Sequence, residues 1–192
     1  MWDKVAGRYR DWAEMNSWYY RIFAREIAKF KRPKLVLDVC SGPGILGREM
    51  RKIFDAEIIG IDSSREMCRI SKGFLGDALN LPFKDSVFDL VTFCFALHEI
   101  DVEKAIREAK RVLKKDGIIA IADLNSRVPE ILKILSSNFL SLILGPEYAE
   151  NLLKKWRDFE SVEEIESILK RENFKIEFVK VRLDFWLIAK KI

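Results

Sequence analysis

A chain of 192 residues and 22.4 kDa is sized for one hydrophobic core rather than two. With 49% hydrophobic and 11% aromatic residues it buries enough surface to offset chain entropy, which excludes a disordered, fibrous or disulfide-scaffold protein. Its 34 Lys and Arg against 30 Asp and Glu leave a net charge of +4, far from the concentrated basic stripe of a dedicated nucleic-acid binder. Cys40, Cys68 and Cys94 are odd in number and lack metal-ligand spacing, so neither a disulfide framework nor a metal site is expected. The opening MWDKVAGRYRDW lacks the apolar stretch of a secretory signal, so a cytoplasmic, reducing setting is expected. The 33% charged residues, with no Gln and Thr92 as the one Thr, lean toward a heat-adapted source.

In chain order, Trp2, Val5, Tyr9 and Trp12, then Trp18, Ile22, Phe23 and Ile27, recur at helical spacing, with a break at Asn16 and Ser17. Residues 1–31 therefore read as a helical lead-in. Leu35 to Val39 is a short apolar strand that runs into CSGPGILG, and Ile45 to Phe54 follows as a helix. Glu57 to Ile61 is a second strand, after which Ser63 and Glu66 are spaced as a capping box that opens a helix through Met67 and Ile70. Phe74 and Leu75 make a brief third strand and Phe88 to Phe95 a fourth. Asp101 caps a helix to Leu113, and Ile118 to Ala122 is a fifth strand after a turn at Lys115, Asp116 and Gly117. Within the stretch 124–160, Ile131 to Leu144 is greasy, yet it is interrupted by Lys133, Ser136, Ser137, Asn138 and Ser141 and is shorter than the ~20 residues that cross a bilayer. It reads as a buried or lid helix, with no membrane span expected. Ser161 and Glu164 cap a last helix, and Phe174 to Val181 and Leu183 to Ala189 are two strands whose short link permits only an antiparallel hairpin.

Alternating strands and helices, with strands apolar on both faces, predict a doubly wound α/β domain. Its mostly parallel sheet ends in one antiparallel strand, and residues 124–160 are inserted as a helical lid over the cleft. In such a sheet a ligand sits beyond the carboxyl ends of the strands, which gathers Asp38, Asp62, Asp77 and His98 around one site. Gly42, Gly44 and Gly47 spell GxGxxG, and Asp62 lies 20 residues after Gly42, where a nicotinamide-dinucleotide site would place its ribose acid. Against that, a pyrophosphate would sit among carboxylates with no Lys or Arg in the loop, and Pro43 removes one backbone donor. The acids suit a ligand with an ammonium near Asp38, a ribose diol on Asp62 and an adenine amine near Asp77. S-adenosylmethionine has all of these parts.

LVLDVCSGPGILG, IIGIDSSREM, GDALNLPF, FDLVTFCFALHEI and EAKRVLKKDGIIAIAD resemble, in order and spacing, the successive motifs of class I S-adenosylmethionine-dependent methyltransferases over residues 34–123. VAGRYRDWAEMN resembles the lead helix of the ubiquinone and menaquinone C-methyltransferase branch, in which a Tyr closes over the cofactor; this implies Tyr9 here. The resemblance implies a Rossmann-like, seven-stranded methyltransferase fold that uses S-adenosylmethionine and releases S-adenosylhomocysteine. Carried over, Asp38, Cys40, Ser41, Gly42 and Gly44 line the methionine end and Asp62 the ribose. Ser63, Met67, Asp77 and Ala78 border the adenine, Phe95 is a further cofactor-binding residue, and the His98 position lies in a loop beside the methyl group. Cys40 stands where the family has a glycine, so its backbone is expected to avoid φ values that only glycine tolerates.

Methyl transfer is an in-line displacement that needs alignment in a dry pocket more than a base. His98, the one histidine, is the candidate proton acceptor. Aromatic residues of the lead-in and the insertion point to a small, apolar or aromatic acceptor rather than RNA. A cofactor-binding module without catalysis, an RNA methyltransferase and an NAD-dependent oxidoreductase are the alternatives. The identity of the acceptor and the oligomeric state are left open.

Overall fold

The computed structural model describes residues 2–192. Strands β1 (Leu35–Val39), β2 (Glu57–Asp62), β3 (Phe74–Leu75), β4 (Phe88–Cys94), β5 (Leu113–Leu124), β6 (Phe174–Val181) and β7 (Asp184–Lys191) form one sheet in the order β3-β2-β1-β4-β5-β7-β6. Neighbours from β3 to β5 are parallel, while β7 lies antiparallel to both β5 and β6. The strand order reverses between β1 and β4, and that is where a cleft opens at the carboxyl edge.

Side chains alternate across the strands and bury two apolar layers. Leu37, Val91, Phe93, Ile119 and Ile121 pack under helices α5 (Val102–Val112) and α8 (Val162–Arg171). Val36, Ile58, Leu90, Ala120 and Ile188 pack under α2 (Ser17–Ile27) and α3 (Ile45–Arg51), where Phe23, Ile27 and Met50 are fully buried. Each such side chain contributes about 1.5–3 kcal/mol. Asp101 caps α5 by accepting from the Lys104 amide, and α8 opens on a complete capping box of Ser161 and Glu164. Helix α1 (Trp2–Met15) lies across α4 (Arg65–Ser71) and α6 (Glu130–Leu144). It shares with α6 and α7 (Pro146–Asp158) a third apolar cluster of Val5, Leu144, Tyr148 and Leu152. Among the described residues, no helix is long and apolar enough to cross a membrane.

Three local expectations are corrected. The cap of α4 is Ser64, not Ser63: the Asp62 carboxylate accepts from the Ser64 amide at 2.8 Å, which starts the helix one residue later. The turn at Lys115 to Gly117 lies inside β5 as a bulge, because Phe88 pairs with Leu113 and Leu90 already with Ile118. Strand β4 ends at Cys94, and Phe95 turns away with φ +52°.

Candidate active site

Beyond β1, β2 and β4 lies a cleft with about 830 Å³ of free space, its mouth included. Its floor is the β1–α3 loop. Gly42 and Gly44 adopt φ of +52° and +79°, and a Cβ on Gly44 would stand 2.9 Å from that of Ser71, so only glycine fits there. The Ser41 amide donates to the Ile61 carbonyl and the Gly44 amide to the Ser41 carbonyl, which fixes the loop against β2. Cys40, contrary to the sequence expectation, sits in the left-handed region at φ +53°. The hydrogen bonds that follow it hold the loop in place, at a cost of about 1–2 kcal/mol.

Two aspartates, at the ends of β1 and β2, face the cleft. Asp38, across from Thr92 in the β1–β4 register, accepts from its Oγ1 at 2.7 Å. Its other oxygen, Oδ2, is buried without a hydrogen-bond partner, as is Ser41 Oγ. Burial raises the Asp38 carboxyl to about 7, against the lowering effect of the Thr92 hydrogen bond and with a further push from Asp62. Asp62 accepts from the Gly42 amide at 2.9 Å and from the Ser64 amide, and burial raises its carboxyl too. A buried, unpartnered acid oxygen beside an unpartnered hydroxyl fits the amino-acid end of S-adenosylmethionine, whose ammonium donates and whose charge would hold Asp38 ionised. Because only the ionised form attracts that ammonium, S-adenosylhomocysteine affinity is expected to rise roughly tenfold from pH 6 to pH 8. In Asp38→Asn the slope should vanish; calorimetric titration across that range checks it, and a flat wild-type profile would contradict this assignment.

The opposite wall is aromatic. Trp2, Tyr9 and Tyr20 line the cleft with Phe95 and Met67. Burial pushes the Tyr9 and Tyr20 hydroxyls well up, so both are neutral donors, and they lie against each other. Helix α1 is drawn over the cleft by Asp3, whose Oδ1 accepts from Ser64 Oγ at 2.5 Å and from the Glu66 amide at 3.2 Å.

Of the residues singled out in the sequence, Tyr9, Asp38, Cys40, Ser41, Gly42, Asp62, Ser63, Met67 and Phe95 meet around this cleft. Gly44 shapes the loop from behind. Asp77 and Ala78 do not reach the wall: the Asp77 carboxylate is turned onto the Leu79 amide at 2.9 Å, and Ala78 packs into the core. Trp2, Tyr20, Cys94 and Glu99 line the cleft as well, and of these only Tyr20, one of the lead-in aromatics expected to recognise the acceptor, carried a sequence expectation. They arrive from non-adjacent segments, and the aromatic lead-in was the only signal for the first two.

His98 lies not in the cleft but in the wall of an adjoining apolar chamber of about 410 Å³ of free space. Trp2, Tyr9 and Phe95 divide the two, and Leu140, Tyr148 and Leu152 close the far side. His98 Nδ1 stands 2.6 Å from Asp123 Oδ1, and Asp123 also accepts from the amides of Ala96, Leu97 and Leu124. Burial alone would lower the His98 pKa, but the Asp123 charge and hydrogen bond outweigh it and the net shift is upward. Nε2 has no hydrogen-bond partner; Glu99 Oε1 is 3.5 Å away, and Glu99 is held from the other side by Lys155 of α7. Asp123 was quoted in the sequence motif without a role, although an acid at the carboxyl end of β5 was itself a signal.

The family described as "Methyltransferase domain" matches residues 37–121, which run from β1 into β5. An uncharacterized protein of Methanocaldococcus jannaschii, MJ1252, is 32% identical over 195 residues, covering 91% of this chain and 75% of the relative. The demethylmenaquinone methyltransferase of Thermotoga maritima is 40% identical over 101 residues, which is 48% of this chain and only 44% of that protein. Among solved structures, an S-adenosylmethionine-dependent methyltransferase from Aquifex aeolicus superposes with a TM-score of 0.65 over 88% of each chain at 19% identity. The PH0226 protein of Pyrococcus horikoshii superposes at 0.72 over 96% of this chain and 92% of its own, at 18% identity. At such identities the structures carry the fold alone. The sequence relatives and the ordered motifs carry more, and the chain belongs to the class I S-adenosylmethionine-dependent methyltransferases.

Proposed function

We propose that this chain transfers the methyl group of S-adenosylmethionine to a small, apolar or aromatic acceptor seated in the chamber beside the cofactor cleft. The supporting observation is the partition itself: an apolar chamber shares Trp2, Tyr9 and Phe95 with an acid-lined cleft and carries one imidazole, His98, beside the neutral hydroxyls of Tyr9 and Tyr148. The similarity to enzymes named for demethylmenaquinone, an apolar quinone, agrees with such an acceptor. No Lys or Arg is among the residues lining the cleft, which gives the RNA reading no basic channel. Residues 1–31 and 124–160 are taken as parts of one catalytic domain, because both help to wall the chamber.

The bound cofactor supplies an electrophilic methyl on a sulfonium. In this reading Asp38 and Ser41 hold the ammonium end and Asp62 the ribose. Tyr9, Tyr20 and Phe95 exclude water, so that alignment provides most of the acceleration. Asp123 keeps the proton on His98 Nδ1 and orients the ring, leaving Nε2 to take a proton from the acceptor. Neutral imidazole is the competent form, so turnover climbs as pH rises through the His98 pKa, which the Asp123 charge and hydrogen bond hold above that of a free imidazole.

The test is release of S-adenosylhomocysteine over a panel of phenols, quinols and apolar amines, with tRNA as the contrasting substrate. His98→Gln is expected to reduce kcat by about a hundredfold or more while S-adenosylhomocysteine affinity stays within about twofold. A variant that keeps its kcat would remove the base. Cofactor binding without transfer to any acceptor would favour the non-catalytic module.

A further inference from the structure

Helix α6 is apolar on the side that faces α1 and α7 and apolar again on the side that faces water. Inward, it buries Ser137 and Leu144 and presents Leu140 to the chamber. Outward, Ile131, Leu135, Phe139 and Leu142 are 61%, 56%, 59% and 87% exposed. A helix that is hydrophobic all round belongs in an interior, and here half of that interior is missing. Ile131, Leu135, Asn138 and Leu142 follow one another at steps of four, three and four residues, the spacing of a helix–helix seam.

We propose that this face is the interface of a homodimer, with α6 packed against α6 of a second copy about a two-fold axis. Two arguments select a second copy as the occupant. The exposed stripe, with Leu132 beside it, offers roughly 600 Å² of apolar surface, and a standard-size homodimer interface of ~800 Å² per partner needs about 500 Å² of it apolar. The stripe also carries no charge: the one cation of the segment, Lys133, is 7% exposed on the inner side. A helix that lies on an anionic lipid surface displays lysines and arginines along its polar face, and α6 has none to display. A two-fold axis makes an uncharged seam self-complementary, and Asn138, exposed near its middle, is a polar group able to set the register. The pairing would brace α6 from outside, and α6 is a wall of the acceptor chamber.

The experiment is light scattering on the purified full chain over a dilution series. The expected mass is twice 22.4 kDa at high concentration. The variant Leu135→Glu/Leu142→Glu should fall to a single chain with an unchanged circular-dichroism spectrum and unchanged S-adenosylhomocysteine affinity. Leu183→Glu, which charges an exposed leucine outside α6, should stay dimeric. A wild-type protein of one chain's mass at every concentration would overturn the proposal, as would a double variant that still dimerises. Flotation of the wild type with phosphatidylglycerol vesicles, abolished by the double variant, would reassign the face to lipid. None of these readouts depends on the acceptor or on turnover.

Discussion

Asp123→Ala is expected to lower the melting temperature by about 10 °C or more, the largest loss from any single polar substitution in the chain. The side chain is fully buried and accepts at 3.0 Å from the Ala96 amide and at 2.8 Å from the amides of Leu97 and Leu124. His98 Nδ1 adds a fourth contact at 2.6 Å. Alanine leaves three backbone donors and a buried imidazole unsatisfied, which costs about 3–5 kcal/mol. Each kcal/mol moves a domain of this size by roughly 2–4 °C. Asp123→Asn is expected to be milder in the melt, because its carbonyl oxygen still serves the Ala96 and Leu97 amides. It places an amide donor against Nδ1, however, and drives the proton to the other ring nitrogen, so under the proposed mechanism turnover falls even where the fold survives. Thermal melting by circular dichroism separates the two effects. An alanine variant that melts within about 2 °C of wild type would show that the Phe95 to Glu99 segment is not held by Asp123.

Asp62→Ala is expected to weaken S-adenosylhomocysteine binding at least tenfold, the ~1.5 kcal/mol of a hydrogen bond to a charged group. The carboxylate has two roles. Towards the protein it anchors the Gly42 and Ser64 amides, and towards the cleft its remaining lone pairs are the acceptors for a ribose diol. Asp62→Asn keeps an acceptor for one of the two amides, so comparing the variants by calorimetry, with a melt for each, apportions loop anchoring from ligand contact. Undiminished affinity in a folded alanine variant would exclude Asp62 from the site.

The sheet was legible because β1 and β4 are buried on both faces and read as continuous apolar runs, and because β6 and β7 are too close in sequence to pair in any other sense. Local punctuation was less legible. Ser63 and Ser64 are adjacent candidates for one cap, and the choice is made by a hydrogen bond to Asp62 that spacing does not reveal. Similarly, Gly117 signals a turn, yet a bulge uses the same residue without ending the strand. In the site, the residues on loops after β1 and β2 were placed by the strand-end rule. Asp77, one of whose carboxylate oxygens closes its own turn, is not among the lining side chains, and Asp123 stands at the end of β5 beside His98. Trp2 reaches the cleft through the crossing of α1 over α4 and Tyr20 through the packing of α2 on α3, neither of which a local pattern encodes.

The place of β7 in the sheet bears on how the chain is made. Synthesis delivers β7 after every other strand, yet its position is between β5 and β6 rather than at an edge. Until it emerges from the ribosome, the long backbone edge of β5 has no neighbour and β6 has nothing to pair with. Phe185, Leu187 and Ile188, all fully buried in the finished sheet, arrive last into a gap that the earlier strands must hold open. Nascent chains are therefore most exposed to aggregation, and most in need of chaperone cover, during the interval before that final insertion.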